Sequence, residues 1–479
     1  MSLNFCDLLV LGSDLSGVIA ATLLAKRGMN VLVLDDEEET ERSPNLATGL
    51  ETRFFRSMLS KLMIPESKLQ IIQENSVTCQ VILPRHRIDL VPSRSLLLKE
   101  IEREFPAERE SFTRLLEETD QLREKVLEAL LSFLPLTTRK ESRRFTRWLK
   151  TLPDQKLVSL WQGLSSELQL FLKLQLRFLS RGTLLEPLTL QLLLYLSEEN
   201  AASFTIRGGS RELKKIFFEK LDYFGGLIHP LAGDDYQILA KGREVRGVKL
   251  NRYGFPTRCR FLLGNLNAQS FYASLPRNLW SLWAKRKMAE QAPLETEHLV
   301  QFEIPRDRLP GPMKENLVWI QDPQSPLTAL NYLELNLASR TKAEGDPVVV
   351  SVVYRAPFDR SADQPYHFSC HEEIQKRLNR LIPFAEDRLR KIFPAQNGEG
   401  SGEGSLFPDS GDLPVFFKRG DKRRFYPPSL FFPPLHTPFK NAILLGPNLL
   451  DWMGMEGKLL SALKGVDEIW QKESRLKKG

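Results

Sequence analysis

The residues with the clearest chemical meaning lie in the segment VLGSDLSGVIAATLLAKRGMNVLVLDD, residues 10–36. A short apolar run ends at Gly12, apolar residues then recur at helical spacing, and a second apolar run ends at Asp35. In a phosphate-binding G-x-G-x-x-G turn, the first glycine allows the tight turn, the second lets the backbone approach a pyrophosphate, and the third packs the helix on the strand. Gly12 and Gly17 occupy the first and third positions, whereas Asp14 replaces the second glycine.

Asp14 changes the chemistry of this turn because it adds side-chain bulk and a negative charge where two phosphates would otherwise lie. Its carboxylate can instead cap the free N–H groups of the helix and act as an internal substitute for phosphate. Asp35 lies 23 residues after Gly12, where an acidic side chain would meet a ribose hydroxyl. The turn therefore predicts a nucleotide-type fold and leaves open whether a nucleotide still binds.

The spacing of apolar residues predicts the elements around this turn. Residues 6–11 and 30–36 favour strands and residues 17–27 favour a helix, which together form the βαβ unit of a parallel sheet with a right-handed crossover. From residue 96 to about residue 196, long helical segments separated by prolines predict a helical insertion. Near residue 205 the α/β pattern returns, so we expect the first domain to resume there.

The rest of the chain predicts a second sheet and a return to the first. Residues 237–250 favour a strand-turn-strand unit, and residues 298–305 and 347–355 favour strands of a second sheet. Residues 372–393 favour a helix, and the tail from residue 441 reads as a strand, a loop and a final helix.

Composition describes a globular protein without a membrane span or disulfide framework. The chain has 479 residues, of which 42% are hydrophobic and 27% charged, and its net charge of +7 is mild for this length. No apolar run reaches the ~18 residues that a membrane span needs. No secretory signal is visible in the opening residues, so we expect a cytoplasmic location. The four cysteines have no metal-ligand spacing and are expected to be buried free thiols: Cys6, Cys79, Cys259 and Cys370.

Four segments together resemble the phytoene desaturase branch of the FAD-dependent amine oxidoreductase superfamily over nearly the whole chain. They are the N-terminal unit at 10–36, VILPRHRIDLVPSRSLLLKEIEREFP at 81–106, IRGGSRELKKIFFEKLDYFGGLIHP with REVRGVKL within 206–250, and ILLGPNLLDWMGMEGKLLSALKGVDE at 443–468. FLLGNLNAQSFYASLP, residues 261–276, is also similar to a strand, polar loop and helix of that branch. The order and spacing of these segments carry the resemblance.

The resemblance implies an α/β fold with two domains. A FAD/NAD(P)-binding Rossmann-like domain would be assembled from residues 1–85, 205–290 and 435–479, and an interposed α+β substrate domain would comprise residues 86–204 and 291–434. It also implies non-covalently bound FAD and an apolar tunnel to the flavin. The substrate would be a bulky hydrophobic molecule such as a polyene, an isoprenoid or an amine.

The resemblance also implies which residues would contact FAD. The N-terminal turn would face the pyrophosphate, Asp35 the adenosine ribose, and the start of the last helix the flavin ring, where N–H groups stabilise negative charge on the reduced form. The candidate cofactor-binding residues are Gly12, Ser13, Asp14, Gly17, Asp35, Gly446, Gly454, Met455 and Gly457. We assign no catalytic residue, because flavin hydride transfer is done mainly by the cofactor.

Three departures from the family pattern bear on the cofactor. Asp14 is the first. The arginine- and glycine-rich stretch after the second strand is replaced by EEETERSPNLATG, residues 37–49, which is acidic and has no adjacent glycines. Gly446 is followed by Pro447 where the family usually has an aspartate, and proline offers neither a carboxylate nor an N–H group.

Other stretches have a plain structural interpretation beside a functional one. His367 and His371 are expected to be surface or core residues, since they would approach a metal only on a helix and with a third ligand. The leucine-rich residues 164–196 favour a helical core over a lipid tunnel. The basic, aromatic stretches 139–150 and 416–434 suit either a solvated face and loop or an anionic membrane surface, and nothing resembles a nucleic-acid module.

Two functions follow from these features. The first is a cytoplasmic FAD-dependent oxidoreductase, peripheral to the inner face of a membrane, that oxidises a bulky hydrophobic substrate. The second is a cofactor-free relative that binds a lipid, an isoprenoid or a protein partner; the GDP-dissociation inhibitors of small GTPases are a fold-level analogy for such a protein.

Overall fold

The structure is a computed structural model of the chain. It describes residues 5–36, 46–48, 53–133, 139–152, 155–180, 192–193, 195–196, 203–206, 209–231, 236–250, 256–266, 268–276, 282, 295–325, 327, 330–339, 347–357, 360, 363–385, 388–393, 413–415, 435–446, 450 and 453–476. The acidic stretch 37–45, the position of Pro447 and the basic stretch 416–434 lie outside the described residues.

Helices and strands alternate at both ends of the chain, and helices dominate its second quarter. The helices are α1 (Leu15–Lys26), α2 (Arg53–Lys61), α3 (Arg94–Glu104), α4 (Arg109–Phe133), α5 (Arg139–Leu149), α6 (Gln155–Gln162), α7 (Ser166–Leu179), α8 (Gly209–Tyr223), α9 (Ala268–Ser274), α10 (Gln364–Leu381) and α11 (Gly454–Leu476). The strands are β1 (Phe5–Leu11), β2 (Val31–Asp35), β3 (Leu46–Thr48), β4 (Ile72–Glu74), β5 (Cys79–Ile82), β6 (Arg87–Leu90), β7 (Ser203–Ile206), β8 (Leu227–Pro230), β9 (Tyr236–Lys241), β10 (Glu244–Leu250), β11 (Pro256–Gly264), β12 (Glu295–Ile304), β13 (Asn316–Ile320), β14 (Tyr332–Ser339), β15 (Val348–Pro357), β16 (Arg390–Phe393), β17 (Leu413–Val415) and β18 (Ala442–Leu444).

The first sheet confirms the predicted βαβ unit. Its strand order is β8-β2-β1-β11-β10-β9, with β18 also paired to β11. Strand β1 is parallel to both β2 and β11, whereas β9 and β10 form the predicted antiparallel pair. Residues of β1 and β2 are buried on both faces of the sheet, which explains why these strands read as continuous apolar runs.

The two faces of this sheet belong to different parts of the core. Leu8 and Val10 pack on the side of α1, α7 and α11. Leu9 and Leu11 pack with β9, β10 and α9 on the other side. The sheet therefore holds its carboxyl edge, where β1 ends at Gly12, between two packed layers, the arrangement in which open α/β sheets bind ligands.

The second sheet has the order β16-β12-β15-β14-β13-β5-β6, with β17 paired to β12. Its pairs are antiparallel except β13 with β5, and α10 covers one face through Cys370, Ile374 and Leu378. The predicted helix over 372–393 is wrong in its bounds. The helix begins after Asp363, whose carboxylate accepts a hydrogen bond from the N–H of Tyr366 (3.1 Å), and it ends at Leu381, two residues before Pro383; residues 390–393 form β16.

The helical region packs against the first sheet's helical layer. Leu168, Phe171, Leu172 and Leu174 of α7 are fully buried in the same core as α1, which confirms the interpretation of this helix as core. Strands β3, β7 and β4 form a small third sheet. The division of the chain into two domains at the stated boundaries stays a prediction.

The structure also bears on the predictions about the cysteines and about membrane-spanning helices. The four cysteines are buried and free, as expected. Among the described residues, no helix is both long enough and apolar enough to cross a membrane.

Candidate functional site

The first strand-helix turn keeps the two glycines that its backbone needs. Gly12 has a φ of +95°, a conformation that favours glycine, and a Cβ there would lie 2.7 Å from the Asn265 carbonyl oxygen. A Cβ on Gly17 would lie 2.1 Å from the Asn265 Nδ2 atom. Both glycines therefore make room for Asn265, which follows the end of β11 and is 1% exposed.

Asn265 ties the turn together from the neighbouring strand. Its Nδ2 group donates to the Asp14 carbonyl oxygen (2.6 Å), and its Oδ1 atom lies 3.1 Å from the Ser16 hydroxyl oxygen. The Ser16 hydroxyl also lies 2.6 Å from the Leu445 carbonyl oxygen, just after β18. The start of α1 is thus held by side chains and backbone from two other strands of the same sheet.

Asp14 caps α1 and forms an ion pair at its N-terminus. Its carboxylate accepts from the Ser16 N–H (3.3 Å) and hydroxyl (2.8 Å) and lies 2.6 Å from the Lys458 ammonium. The Asp14 and Lys458 side chains are 16% and 15% exposed. Burial alone would raise the pKa of Asp14, but the Lys458 charge and hydrogen bond together with the Ser16 hydrogen bonds outweigh burial and hold this pKa below its ordinary value.

A second group of charges surrounds Ser13. The Asp36 carboxylate accepts from both the N–H (3.1 Å) and the hydroxyl (2.9 Å) of Ser13, and Asp35 contacts the same hydroxyl. Lys214 of α8 donates to the Ser13 hydroxyl (3.1 Å) and lies 3.5 Å from the Asp35 carboxylate. Asp35 therefore binds protein groups at the position predicted to meet a ribose.

The last helix contributes close backbone packing as well as Lys458. Gly454 has a φ of +57° at the start of α11, and a Cβ on Gly457 would lie 2.1 Å from the Leu450 carbonyl oxygen. Gly446 is buried, as is Met455 in the first turn of this helix. The structure brings this helix against α1, so the residues predicted at the pyrophosphate and at the flavin lie in neighbouring elements. Their roles toward a cofactor stay predictions.

Sequence reasoning missed four residues of the site: Asn265, Lys458, Lys214 and Asp36. Lys458 carries a signal, because a lysine in the first turns of a helix opposes the helix dipole and needs a carboxylate nearby. Asn265 also carries one, since it directly follows a buried strand at the carboxyl edge of the sheet. Lys214 reaches the turn only through the packing of α8, which no local pattern reveals.

The two histidines singled out by their spacing both lie on a helix, α10, where they contact a tyrosine and a lysine. The Tyr354 hydroxyl lies 2.8 Å from His367 Nδ1 and 3.1 Å from His371 Nε2, and Lys391 Nζ lies 3.0 Å from His371 Nδ1. Burial, followed by the charge of Lys391, lowers the pKa of His371 to about 4. No group of metal-ligating side chains occurs in the part of the chain that the structure describes.

The arrangement at the turn does not fit the diphosphate of FAD. The N–H groups of Ser13 and Ser16, which such a turn would present to phosphate, already donate to Asp36 and Asp14. Counted over the described side chains that contact the turn, the carboxylates of Asp14, Asp35 and Asp36 and the ammonium groups of Lys214 and Lys458 sum to one negative charge. A diphosphate would have to displace Asp14 from Lys458 and meet this negative field.

Comparisons with known proteins support the fold but give no close relative. No family model matches the chain, and no curated protein sequence matches it. An oxidoreductase from Methanosarcina mazei is similar in structure, with 13% identity over 96% of this chain and 100% of its own and a TM-score of 0.56. Cyclohexylamine oxidase from Brevibacterium oxydans has 14% identity over 98% and 99% of the two chains and a TM-score of 0.52, and a putrescine oxidase variant has 13% identity over 98% and 99% and a TM-score of 0.51.

The chain therefore shares the α/β, Rossmann-type fold of these oxidoreductases, as the sequence predicted. At these identities the likeness defines the fold alone. The resemblance to the phytoene desaturase branch in particular stays a prediction.

Proposed function

We propose that this chain uses the fold of a FAD-dependent oxidoreductase to bind a bulky hydrophobic molecule, a lipid or isoprenoid, without FAD and without redox chemistry. The observation that carries the proposal is the ion pair of Asp14 with Lys458 at the N-terminus of α1. Their chemistry is that of an internal anion and its counter-ion, placed where the fold would otherwise hold a diphosphate.

The energetics of the turn support this function. Breaking the pair to admit FAD would leave the Asp14 carboxylate without its ammonium partner while it is still largely buried, which is costly. The diphosphate would also need N–H donors that the protein's own carboxylates already use. The Lys458 ammonium released from Asp14 would meet the diphosphate, but that exchange leaves the Asp14 carboxylate unpaired, and Lys214 already lies beside Asp35.

The ligand class rests on the sequence resemblance, whose members act on lipid-like or amine substrates. The second sheet, one face of which α10 covers, would supply the second wall that a bulky ligand needs. A protein partner is the other occupant that a non-redox relative would accept, and we expect the protein to act in the cytoplasm.

A second candidate is the FAD-dependent oxidoreductase predicted first from the sequence. It is favoured by the retained Gly12, Gly17 and Asp35 and by the structural neighbours, which include a cyclohexylamine oxidase and a putrescine oxidase. In that case the pair of Asp14 with Lys458 would have to open when FAD binds.

Flavin uptake separates the two functions. The purified protein is expected to be colourless and to leave the fluorescence of added FAD unchanged. The double substitution Asp14→Gly with Lys458→Ala removes the pair and restores the glycine, and is expected to bind FAD at least as well as the wild type. Lys464→Ala, on the same helix but away from the turn, is the matched control. A yellow wild-type protein, or saturable FAD uptake by it, would refute the non-redox function.

Ligand binding is tested separately with retinol, an isoprenoid whose fluorescence rises in an apolar site. The wild type and the Asp14→Asn variant are expected to bind it equally, because the turn is not part of the hydrophobic site. Absence of saturable retinol binding would contradict the proposed ligand class while leaving the flavin result to decide the redox question.

A further inference from the structure

Helix α5 carries a strongly one-sided distribution of charge. Arg143, Arg144 and Arg147 lie on α5, Lys150 directly follows its last residue, and all four side chains are exposed. At about 100° per residue these four positions fall within an arc of roughly 120° on the helix surface. The helix therefore presents one continuous cationic face to solvent.

The opposite side of α5 is anchored in the core by aromatic rings. Phe145 is 1% exposed, and its ring centroid lies 5.5 Å from that of Phe133 and 5.3 Å from that of Trp148. Trp148 is half-buried at the border between the apolar and cationic sides. This packing fixes the rotation of α5 and keeps its cationic face toward solvent.

The three guanidinium groups of this face have no ion pair within the described part of the chain. Arg114 of α4 pairs with Glu110, but within the described residues no carboxylate pairs with Arg143, Arg144 or Arg147. A row of unpaired arginines suits phosphate groups, because the planar guanidinium donates two parallel hydrogen bonds to phosphate oxygens.

We propose that the cationic face of α5 (Arg143, Arg144, Arg147 and Lys150) docks the protein on an anionic phospholipid surface. A straight helical row on the outside of the protein matches a flat sheet of phosphates better than it matches a nucleic-acid groove. Trp148 lies at the level where an indole ring meets the headgroup region, and Val158 of the following helix α6 is 37% exposed nearby in sequence. This inference rests on α5 alone and holds whether or not FAD binds.

Vesicle co-sedimentation of the full-length protein tests the docking face. The wild type is expected to sediment with vesicles of roughly one phosphatidylserine to three phosphatidylcholine molecules and not with pure phosphatidylcholine, and to be released by salt. The triple substitution of Arg143, Arg144 and Arg147 by glutamine is expected to weaken partitioning on the order of 100-fold. The lysine triple variant keeps the charge and is expected to retain most of the binding.

A matched variant controls for net charge. Replacing three exposed arginines on other elements, Arg258, Arg308 and Arg388, by glutamine removes the same charge and is expected to change partitioning only a few-fold. Circular dichroism melting confirms that each variant folds. The proposal would be overturned if the wild type did not bind phosphatidylserine vesicles, or if the two glutamine variants lost the same amount of binding. It would also be overturned if the protein bound duplex DNA but not vesicles.

Discussion

The ion pair at the start of α1 gives the sharpest test of the site, through the substitution Lys458→Met. Methionine keeps the length and the apolar stem of lysine but removes the ammonium that lies 2.6 Å from the Asp14 carboxylate. Asp14 would keep its two hydrogen bonds from Ser16. The substitution therefore isolates the charge of Lys458 from the capping of the helix.

The size of the effect follows from burial. Removing one partner of a fully buried ion pair costs about 3–5 kcal/mol. Because both side chains are 15–16% exposed and Ser16 still solvates the carboxylate, we expect a loss of about 2–3 kcal/mol in the free energy of unfolding near pH 7. Adding Asp14→Asn, which can still cap the helix, is expected to recover part of this loss, with a coupling free energy of about 2 kcal/mol.

The pH dependence of the free energy of unfolding distinguishes the loss of a charge from a packing defect. In the wild type the pKa of Asp14 is lowered, so its contribution to stability is present above its ordinary pKa and is lost as the pH falls through the folded-state value. Without Lys458, burial dominates and raises the pKa of Asp14. At a pH between the two pKa values, the folded variant keeps a proton that the unfolded chain releases. The loss of stability of the variant relative to the wild type therefore grows as the pH rises through the raised pKa.

Urea unfolding followed by tryptophan fluorescence measures these quantities at about pH 4.5 and pH 7 for the four proteins of the double-mutant cycle. Lys464→Met on the same helix is the control and is expected to cost less than about 0.5 kcal/mol. A deficit for Lys458→Met that does not change with pH, or a coupling free energy below about 0.5 kcal/mol, would refute the assignment of a buried ion pair.

Two buried glycines and one histidine provide three further tests. Gly17→Ala should lower stability by about 2–3 kcal/mol in urea unfolding, because its Cβ would meet the Asn265 side chain, and Asn265→Ala in the same chain should relieve part of that loss; strict additivity would contradict it. Gly457→Ala meets a backbone carbonyl that cannot move aside, so thermal melting should show a loss of more than about 2 kcal/mol, and a neutral result would contradict it. His371 should stay neutral by NMR from pH 8 to 5, because its pKa is depressed to about 4. Stability should therefore fall as the pH drops from about 6.5 toward 4. Lys391→Met should raise the pKa of His371, and an unchanged pKa would be inconsistent with the proximity of the two groups.

Much of the fold could be predicted because its signals are local. The two buried strands around Gly12 are continuous apolar runs, and the glycine turn with its helix leaves few other topologies. The helix predicted over 372–393 shows the limit of this reasoning. Its periodicity was correct, but the prediction ignored Pro383, which ends the helix, and Asp363, which caps its start eight residues before the predicted one.

The site could be predicted only in part, because its decisive contacts join residues far apart in the chain. The sequence indicated that Asp14 can cap α1, and the structure confirms the hydrogen bond from the Ser16 N–H. It could not indicate that Lys458, 444 residues later, supplies the counter-charge, since that depends on how α11 packs against α1. Spacing along the chain therefore identified the acid but not its partner.

The positions of the glycines show that packing alone can preserve the backbone of a nucleotide-type turn. A side chain at Gly12 or Gly17 would collide with Asn265, and one at Gly457 would collide with the Leu450 carbonyl, so packing alone is enough to keep all three. The second glycine of the motif serves the approach of a diphosphate. Asp14 stands there, where its carboxylate neutralises Lys458 and caps the helix. Flavin uptake after exchange of this pair therefore tests whether Asp14 and Lys458 alone oppose a diphosphate at this turn.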